Sequence, residues 1–203
     1  MPADTKQEQF WSGPQGKSYL KRNFTHPTRQ KERKVFYDMF LPLDRDAHIL
    51  EVGCNCGINL QILQDMGFTN LSGIDIGEDA LSEAKKRLPN ANFTLGSILD
   101  MPYSDNSYDV VFSSGVLIHQ DPANSLNVVI SEMIRCAKKY ILGLEDYNQS
   151  FMDGGYRGST GFYWRGPFLE TFLASSSNLH KEQEEYMAVN TNYKRQCYRI
   201  SLA

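Results

Sequence analysis

Five short apolar runs, at residues 48–52, 71–75, 92–96, 108–113 and 140–145, are separated for the most part by stretches of helical period. The spacing predicts helices at 29–40, 58–66, 79–88 and 123–136, with Ile58, Ile62 and Met66 at i, i+4 and i+8 and Gly67 closing that turn. Strands alternating with helices form a parallel sheet with right-handed crossovers and helices on both faces. The run Tyr108-Asp-Val-Val-Phe-Ser113 is apolar enough to be covered on both sides. After 145 the rhythm breaks into a Gly-, Tyr- and Ser-rich stretch over 146–165. A helix near 167–174 and two strand-like segments around 185–189 and 197–202 follow, able to pair antiparallel across Asn190 and Asn192. The expectation is one α/β domain over 1–203, a mostly parallel seven-stranded sheet ending in an antiparallel hairpin.

In an open sheet of this type, ligands bind beyond the carboxyl ends of the strands. The first strand leads into Glu51-Val-Gly-Cys-Asn-Cys-Gly-Ile-Asn59, where Gly53 and Gly57 let the backbone turn and approach a ligand closely. Counted from Gly53, a G-x-G-x-x-G is absent, and there is no Gly-Lys-Ser/Thr, which disfavours a dinucleotide or ATP at this turn. Asp75 ends the second strand, where a carboxylate can accept hydrogen bonds from both hydroxyls of a ribose. The third strand ends before Ser97-Ile-Leu-Asp100, and the fourth leads to Ser113-Ser-Gly-Val-Leu-Ile-His119. Together these ends describe a cleft suited to a nucleoside without phosphates.

The run Ile49-Leu-Glu-Val-Gly-Cys-Asn-Cys-Gly-Ile-Asn-Leu60, then Gly73-Ile-Asp75, then Asp105-Asn-Ser-Tyr-Asp-Val-Val-Phe112 resembles class I S-adenosylmethionine (SAM)-dependent methyltransferases. Three blocks resemble more narrowly the methylases associated with pseudaminic acid biosynthesis: the segment from Phe10-Trp-Ser-Gly to Asn23, Gly115-Val-Leu-Ile-His119, and Tyr156-Arg-Gly158 with Trp164. The resemblance implies a Rossmann-like fold with SAM as cofactor. It implies that Glu51, Gly53, Asn55 and Gly57 line the methionine end, that Asp75 holds the ribose and that Ile76 touches adenine. Ser97 and Ile98 would flank the adenine, and Ser114 or Gly115 would back the sulfonium. Asn55 replaces the middle glycine of the broad motif, and Ser97 stands where many relatives have Asp.

Methyl transfer is an in-line displacement that gains mostly from alignment, and a neutral acceptor gains further from a base. His119 is the candidate base, with helix capping or packing as the alternative. Tyr19 and Arg22 form a lid in one reading, Arg22 pairing the SAM carboxylate; in the other, Arg22 is a surface charge beside a packed aromatic. The segment 1–40 holds eight Lys/Arg against four Asp/Glu and is the expected lid. Tyr156 and Arg157 fall in the expected acceptor-side insertion over 146–180, where Arg157 clamps an acidic acceptor or is a solvated loop charge. Tyr163 and Trp164 either floor a pocket or pack in the core. Glu145 and Asp146 either touch the acceptor or are exposed loop carboxylates.

The partner expected is a small, acidic molecule such as a sugar derivative. A net charge of −3 argues against nucleic acid, and no apolar run reaches the ~20 residues needed to span a bilayer. Four cysteines without a C-x-x-C pair point to a reducing cytosol and to no metal. Two other reactions stay open: SAM cleavage or cyclisation without an acceptor, and a non-catalytic SAM-binding subunit. Oligomeric state is open between monomer and homodimer.

Overall fold

The computed structural model describes residues 5–23, 33–189 and 193–203. Its centre is a seven-stranded sheet of β1 (Ile49–Val52), β2 (Leu71–Asp75), β3 (Asn92–Leu95), β4 (Tyr108–Ser114), β5 (Ala137–Tyr147), β8 (Leu179–Ala188) and β9 (Lys194–Leu202). The order is β3-β2-β1-β4-β5-β9-β8. The first five strands are parallel to one another, and β9 runs antiparallel to both of its neighbours. Strand order reverses between β1 and β4, which opens a crevice at their carboxyl ends.

The central strands are largely apolar because both faces are covered, with alternate residues serving opposite cores. Leu50, Val52, Val111 and Ile141 pack under α6 (Leu126–Cys136) and α7 (Phe168–Ser175). Ile49, Val110, Phe112 and Leu142 pack on the other side against α3 (Lys34–Asp38) and α4 (Ile58–Asp65), through Phe36, Leu60 and Leu63. The helix between β2 and β3, α5 (Glu78–Arg87), has Glu78 and Asp79 in its first turn and Lys85, Lys86 and Arg87 in its last, complementing its dipole. Gly143 in β5 is required by packing. A Cβ there would lie 2.2 Å from Cζ of the fully buried Tyr198. Gly143→Ala is therefore expected to destabilise the fold by about 1–3 kcal/mol, read as a lower urea midpoint at unchanged m-value.

Several boundaries differ from expectation. Of the helix expected at 29–40, residues 29–32 lie outside the described residues, and the helix itself ends at Asp38. β8 starts at Leu179, six residues before the expected strand. Its first half, with His180, Lys181 and Glu182 exposed, lies at the sheet edge and has no apolar alternation to reveal it. Asn190 and Asn192, between the paired strands, also lie outside the described residues. Within 146–165, β6 (Met152–Asp153) and β7 (Trp164–Arg165) form a small hairpin. The later part of the 146–180 segment is not an insertion in packing terms, since Phe168, Leu169 and Phe172 of α7 belong to the core.

Two helices precede the sheet, α1 (Lys6–Ser12) and α2 (Pro14–Asn23). Thr5 and Glu8 form a reciprocal capping box that starts α1. Among the described residues, no helix is long and apolar enough to cross a membrane, and no cluster of metal-ligating side chains occurs.

Candidate functional site

Two adjoining cavities open at the carboxyl ends of β1, β2, β4 and β5. The first, about 250 Å³, is walled by the β1–α4 turn, Asp75, Ile76, Ile98, Ser114 and Gly115, and roofed by α1 and α2 through Glu8, Trp11 and Tyr19. The second, about 300 Å³, is lined by Asp146, Tyr156, Tyr163, Tyr193 and Arg195. Tyr19, Arg33, Ser114, Gly115 and His119 border both, so the two spaces meet at these residues.

The turn after β1 is shaped by backbone conformations that few residues accept. Gly53 has φ 67°, and a Cβ on it would lie 2.6 Å from Val116 Cγ2. Asn55 also sits in the left-handed region, at φ 48°, where Asn is among the tolerated residues. Its side-chain oxygen accepts from the Cys56 amide at 2.9 Å, and its own N–H donates to Asp75 Oδ2 at 2.8 Å. The Gly77 N–H donates to Asp75 Oδ1, also at 2.8 Å. Two backbone donors thus fix the carboxylate at the cavity wall, while burial pushes its pKa upward. Gly57 caps α4 at φ 72° and backs onto Ala84 and Leu88 beneath the cavity, so the expectation that it lines the site is corrected.

Glu51 is buried at the floor. Asn59 Nδ2 donates to its Oε1 at 2.5 Å, and Tyr37 holds Asn59 by donating its hydroxyl to Oδ1 at 2.6 Å. Glu51 Oε2 has no protein partner, and burial raises the carboxyl pKa to about 8. Trp11 Nε1, on the roof, is likewise buried without a protein partner. The cavity walls therefore include residues carrying one unpaired acceptor and one unpaired donor.

Arg22 does not join them. Its guanidinium donates to Ser18 Oγ at 2.5 Å and to the Tyr156 hydroxyl at 3.3 Å, which keeps it off the first cavity. Arg33 stands there instead, nearly buried, donating to Ser114 Oγ at 2.8 Å and Asn59 Oδ1 at 3.4 Å. Ser97 is also displaced: its hydroxyl is hydrogen-bonded to Glu8 and accepts from the Leu99 amide at 3.0 Å, and it lies off the wall that Glu8 occupies.

His119 sits in the 3₁₀ turn 117–119 beyond β4, packed by Trp11 at 4.3 Å between ring centroids and by Tyr156 at 5.3 Å. Nδ1 is 2.6 Å from the Phe162 carbonyl oxygen. A carbonyl only accepts, so Nδ1 carries the proton and Nε2 keeps its lone pair. Burial lowers the imidazole pKa to about 4. Glu145 is not an exposed loop carboxylate. It is buried and accepts from Ser113 Oγ at 2.9 Å and from the Val116 and Ile118 amides at 3.3 Å, so it holds the turn that carries His119. Asp146 is buried too, accepting from Tyr163 Oη and Arg195 Nε, each at 2.8 Å. Trp164 is core, whereas Tyr163 lines the second cavity. Arg157 is exposed at φ 50° on the tight turn joining Tyr156 to Ser159 and lines neither cavity.

Glu8, Trp11, Arg33 and Asn59 are thus site residues missing from the sequence reading. The Thr5-Lys-Gln-Glu8 box is the one local signal that foretells α1.

The strand order and the crevice define the Rossmann-like fold of class I methyltransferases. Residues 49–140 match the family described as "Methyltransferase domain". An uncharacterized methyltransferase of Schizosaccharomyces pombe is 30% identical over 115 residues, 50% of this chain and 41% of that protein. An uncharacterized methyltransferase of Synechocystis is 28% identical over 158 residues, 75% of this chain and 67% of that one. The chain thus spans less than half of the first relative and two thirds of the second. In fold, it is similar to magnesium protoporphyrin IX methyltransferase from Synechocystis, solved with bound SAM, at a TM-score of 0.70 and 14% identity over 100% of both chains.

Proposed function

We propose that the chain methylates a small, anionic, hydroxyl-bearing acceptor with SAM, in the cytoplasm, where its four unbridged cysteines stay reduced. The observation that carries this reading is the junction of the two cavities at Ser114, Gly115 and His119. Bound SAM supplies a methyl carbon on a positively charged sulfur, from which the carbon–sulfur bond breaks as the acceptor oxygen bonds to carbon.

The residues fit that molecule. Glu51 Oε2 is an acceptor suited to the ammonium, Arg33 is a cation suited to the carboxylate, and Asp75 is fixed where two ribose hydroxyls can donate to it. Ile76 and Ile98 offer apolar contact to the base. Gly53 and Asn55 keep the backbone close, Ser114 and Gly115 back the sulfur, and Tyr19 closes over it. In the second cavity Arg195 is paired with Asp146 at 2.8 Å, and Arg33 at the junction brings a further positive charge toward the acceptor side. Tyr156 adds a phenolic donor, and Tyr156 and Tyr163 add apolar faces that suit a sugar-like acid, in keeping with the narrower resemblance to pseudaminic acid-associated methylases. His119 Nε2 receives the acceptor proton. Arg157 has no part in this arrangement.

Incubation with methyl-labelled SAM and a metabolite extract, followed by untargeted mass spectrometry, is expected to label one small acidic metabolite and to accumulate S-adenosylhomocysteine. Turnover of SAM without any acceptor would replace transfer by cleavage or cyclisation. Binding without turnover would leave a non-catalytic SAM-binding subunit.

A further inference from the structure

Four parallel strands present their ends to the first cavity side by side in the order β4, β1, β2, β3. Ser114, Glu51 with Gly53, Asp75 and Ile98 therefore follow one another across the cleft. Three strand spacings of about 4.8 Å give about 14 Å, the reach of an extended aminoacyl nucleoside. With an ammonium at Glu51 and a ribose at Asp75, the base lies toward β3. There the wall is Ile76, Ala80 and Ile98, and the polar side chain ordered against it comes from α1.

That side chain is Glu8. Its carboxylate is hydrogen-bonded to Ser97 Oγ and accepts from the Thr5 amide at 3.0 Å and the Thr5 hydroxyl at 3.1 Å. The helix is clamped in turn. Gln7 Nε2 donates to the Gly161 carbonyl at 3.3 Å, Phe10 stacks on Phe162 at 4.2 Å, and Lys6 pairs with Asp121 at 3.8 Å. Two other carboxylates reach this end of the cavity, but Glu78 is exposed and Asp79 is exposed and paired with Lys17 at 3.1 Å. Water screens those, whereas Glu8 is half-buried and positioned.

We propose that Glu8 is a specificity-determining residue which reads the 6-amino group of adenine, so that base selection resides in the N-terminal helix rather than in the β3 loop. The proposal rests on the SAM reading above. A carboxylate accepts from an amino group and repels the carbonyl oxygen that replaces it in hypoxanthine. Glu8→Gln keeps the capping box, because Gln serves at that position as Glu does, and its amide presents an oxygen to one base or an NH₂ to the other.

Calorimetry of S-adenosylhomocysteine and S-inosylhomocysteine against the wild type, Glu8→Gln and Glu78→Gln tests it. The wild type and Glu78→Gln are expected to prefer the adenosine form by about 10- to 100-fold, the worth of one hydrogen bond to a charged group. Glu8→Gln is expected to reduce the preference to less than about threefold. An unchanged preference in Glu8→Gln, or a wild type indifferent to the base, overturns the assignment and leaves the SAM reading intact. A wild type that binds neither compound overturns both.

Discussion

S-Adenosylhomocysteine binding will release close to one proton at pH 7, and its affinity will rise about tenfold per pH unit between pH 6 and 7.5. The cause is Glu51. Desolvation holds its pKa at about 8, so in the free protein the carboxyl is protonated at neutral pH. An ammonium beside Oε2 favours the ionised form, and the proton leaves as the ligand arrives. Below pH 8 the ligand must displace that proton, so weaker binding accompanies each fall in pH. Above pH 8 the dependence flattens. Titration in buffers of different ionisation enthalpy counts the proton directly. Glu51→Gln should bind more weakly, with no proton release and no slope over this range. A wild-type affinity independent of pH from 6 to 7.5 would remove the ammonium from Glu51.

The same carboxyl affects folding in the opposite sense. A folded pKa of about 8 against an ordinary 4.5 means the native state binds the proton more tightly. Ligand-free stability is thus fullest below pH 4.5 as far as this group is concerned, and is lost as pH rises toward 8. Glu145, raised by burial to about 7, acts in the same direction. The binding that relieves Glu51 also offsets this loss, so the ligand protects most where the free protein is weakest.

How much of this could be read from the chain alone depended on distance along it. Gly53, Asn55 and Asp75 lie within one strand–helix–strand unit, where turn chemistry and the end of a strand declare themselves locally. The central strands were legible for the same reason: burial on both faces leaves continuous apolar runs. Arg33 was not, because its partner Ser114 is 81 positions away and an arginine in a basic segment looks like any solvated charge. Glu8 meets Ser97 across 89 positions and escaped for the same cause. Arg22 illustrates the converse. It had the right chemistry and segment for a carboxylate partner, yet α2 directs it to Ser18 and Tyr156. Glu145 looked like an exposed end of strand because its neighbours 146–150 are polar, whereas β5 runs on to Tyr147 and carries it inside.

His119→Ala should lower kcat by about 10²- to 10⁴-fold while changing the affinity for S-adenosylhomocysteine much less. The Phe162 carbonyl compels the Nδ1–H tautomer and leaves Nε2 as the acceptor. Trp11, Tyr156 and Tyr163 surround the ring and exclude the water that would stabilise an imidazolium, which is why the pKa falls to about 4. A base this weak is adequate because the acceptor hydroxyl becomes strongly acidic only as its oxygen bonds to the methyl carbon. It is also ready over the whole physiological range, since no proton has to be removed from it first. At saturating SAM, kcat should therefore be flat between pH 5.5 and 8, whereas kcat/KM for SAM should climb with pH through Glu51. The two profiles separate the base from the binding carboxyl. A wild-type kcat that falls tenfold between pH 7 and 6 would contradict a neutral buried imidazole. Unchanged turnover in His119→Ala would assign the histidine to packing alone, with the acceptor reacting as an anion that needs no base.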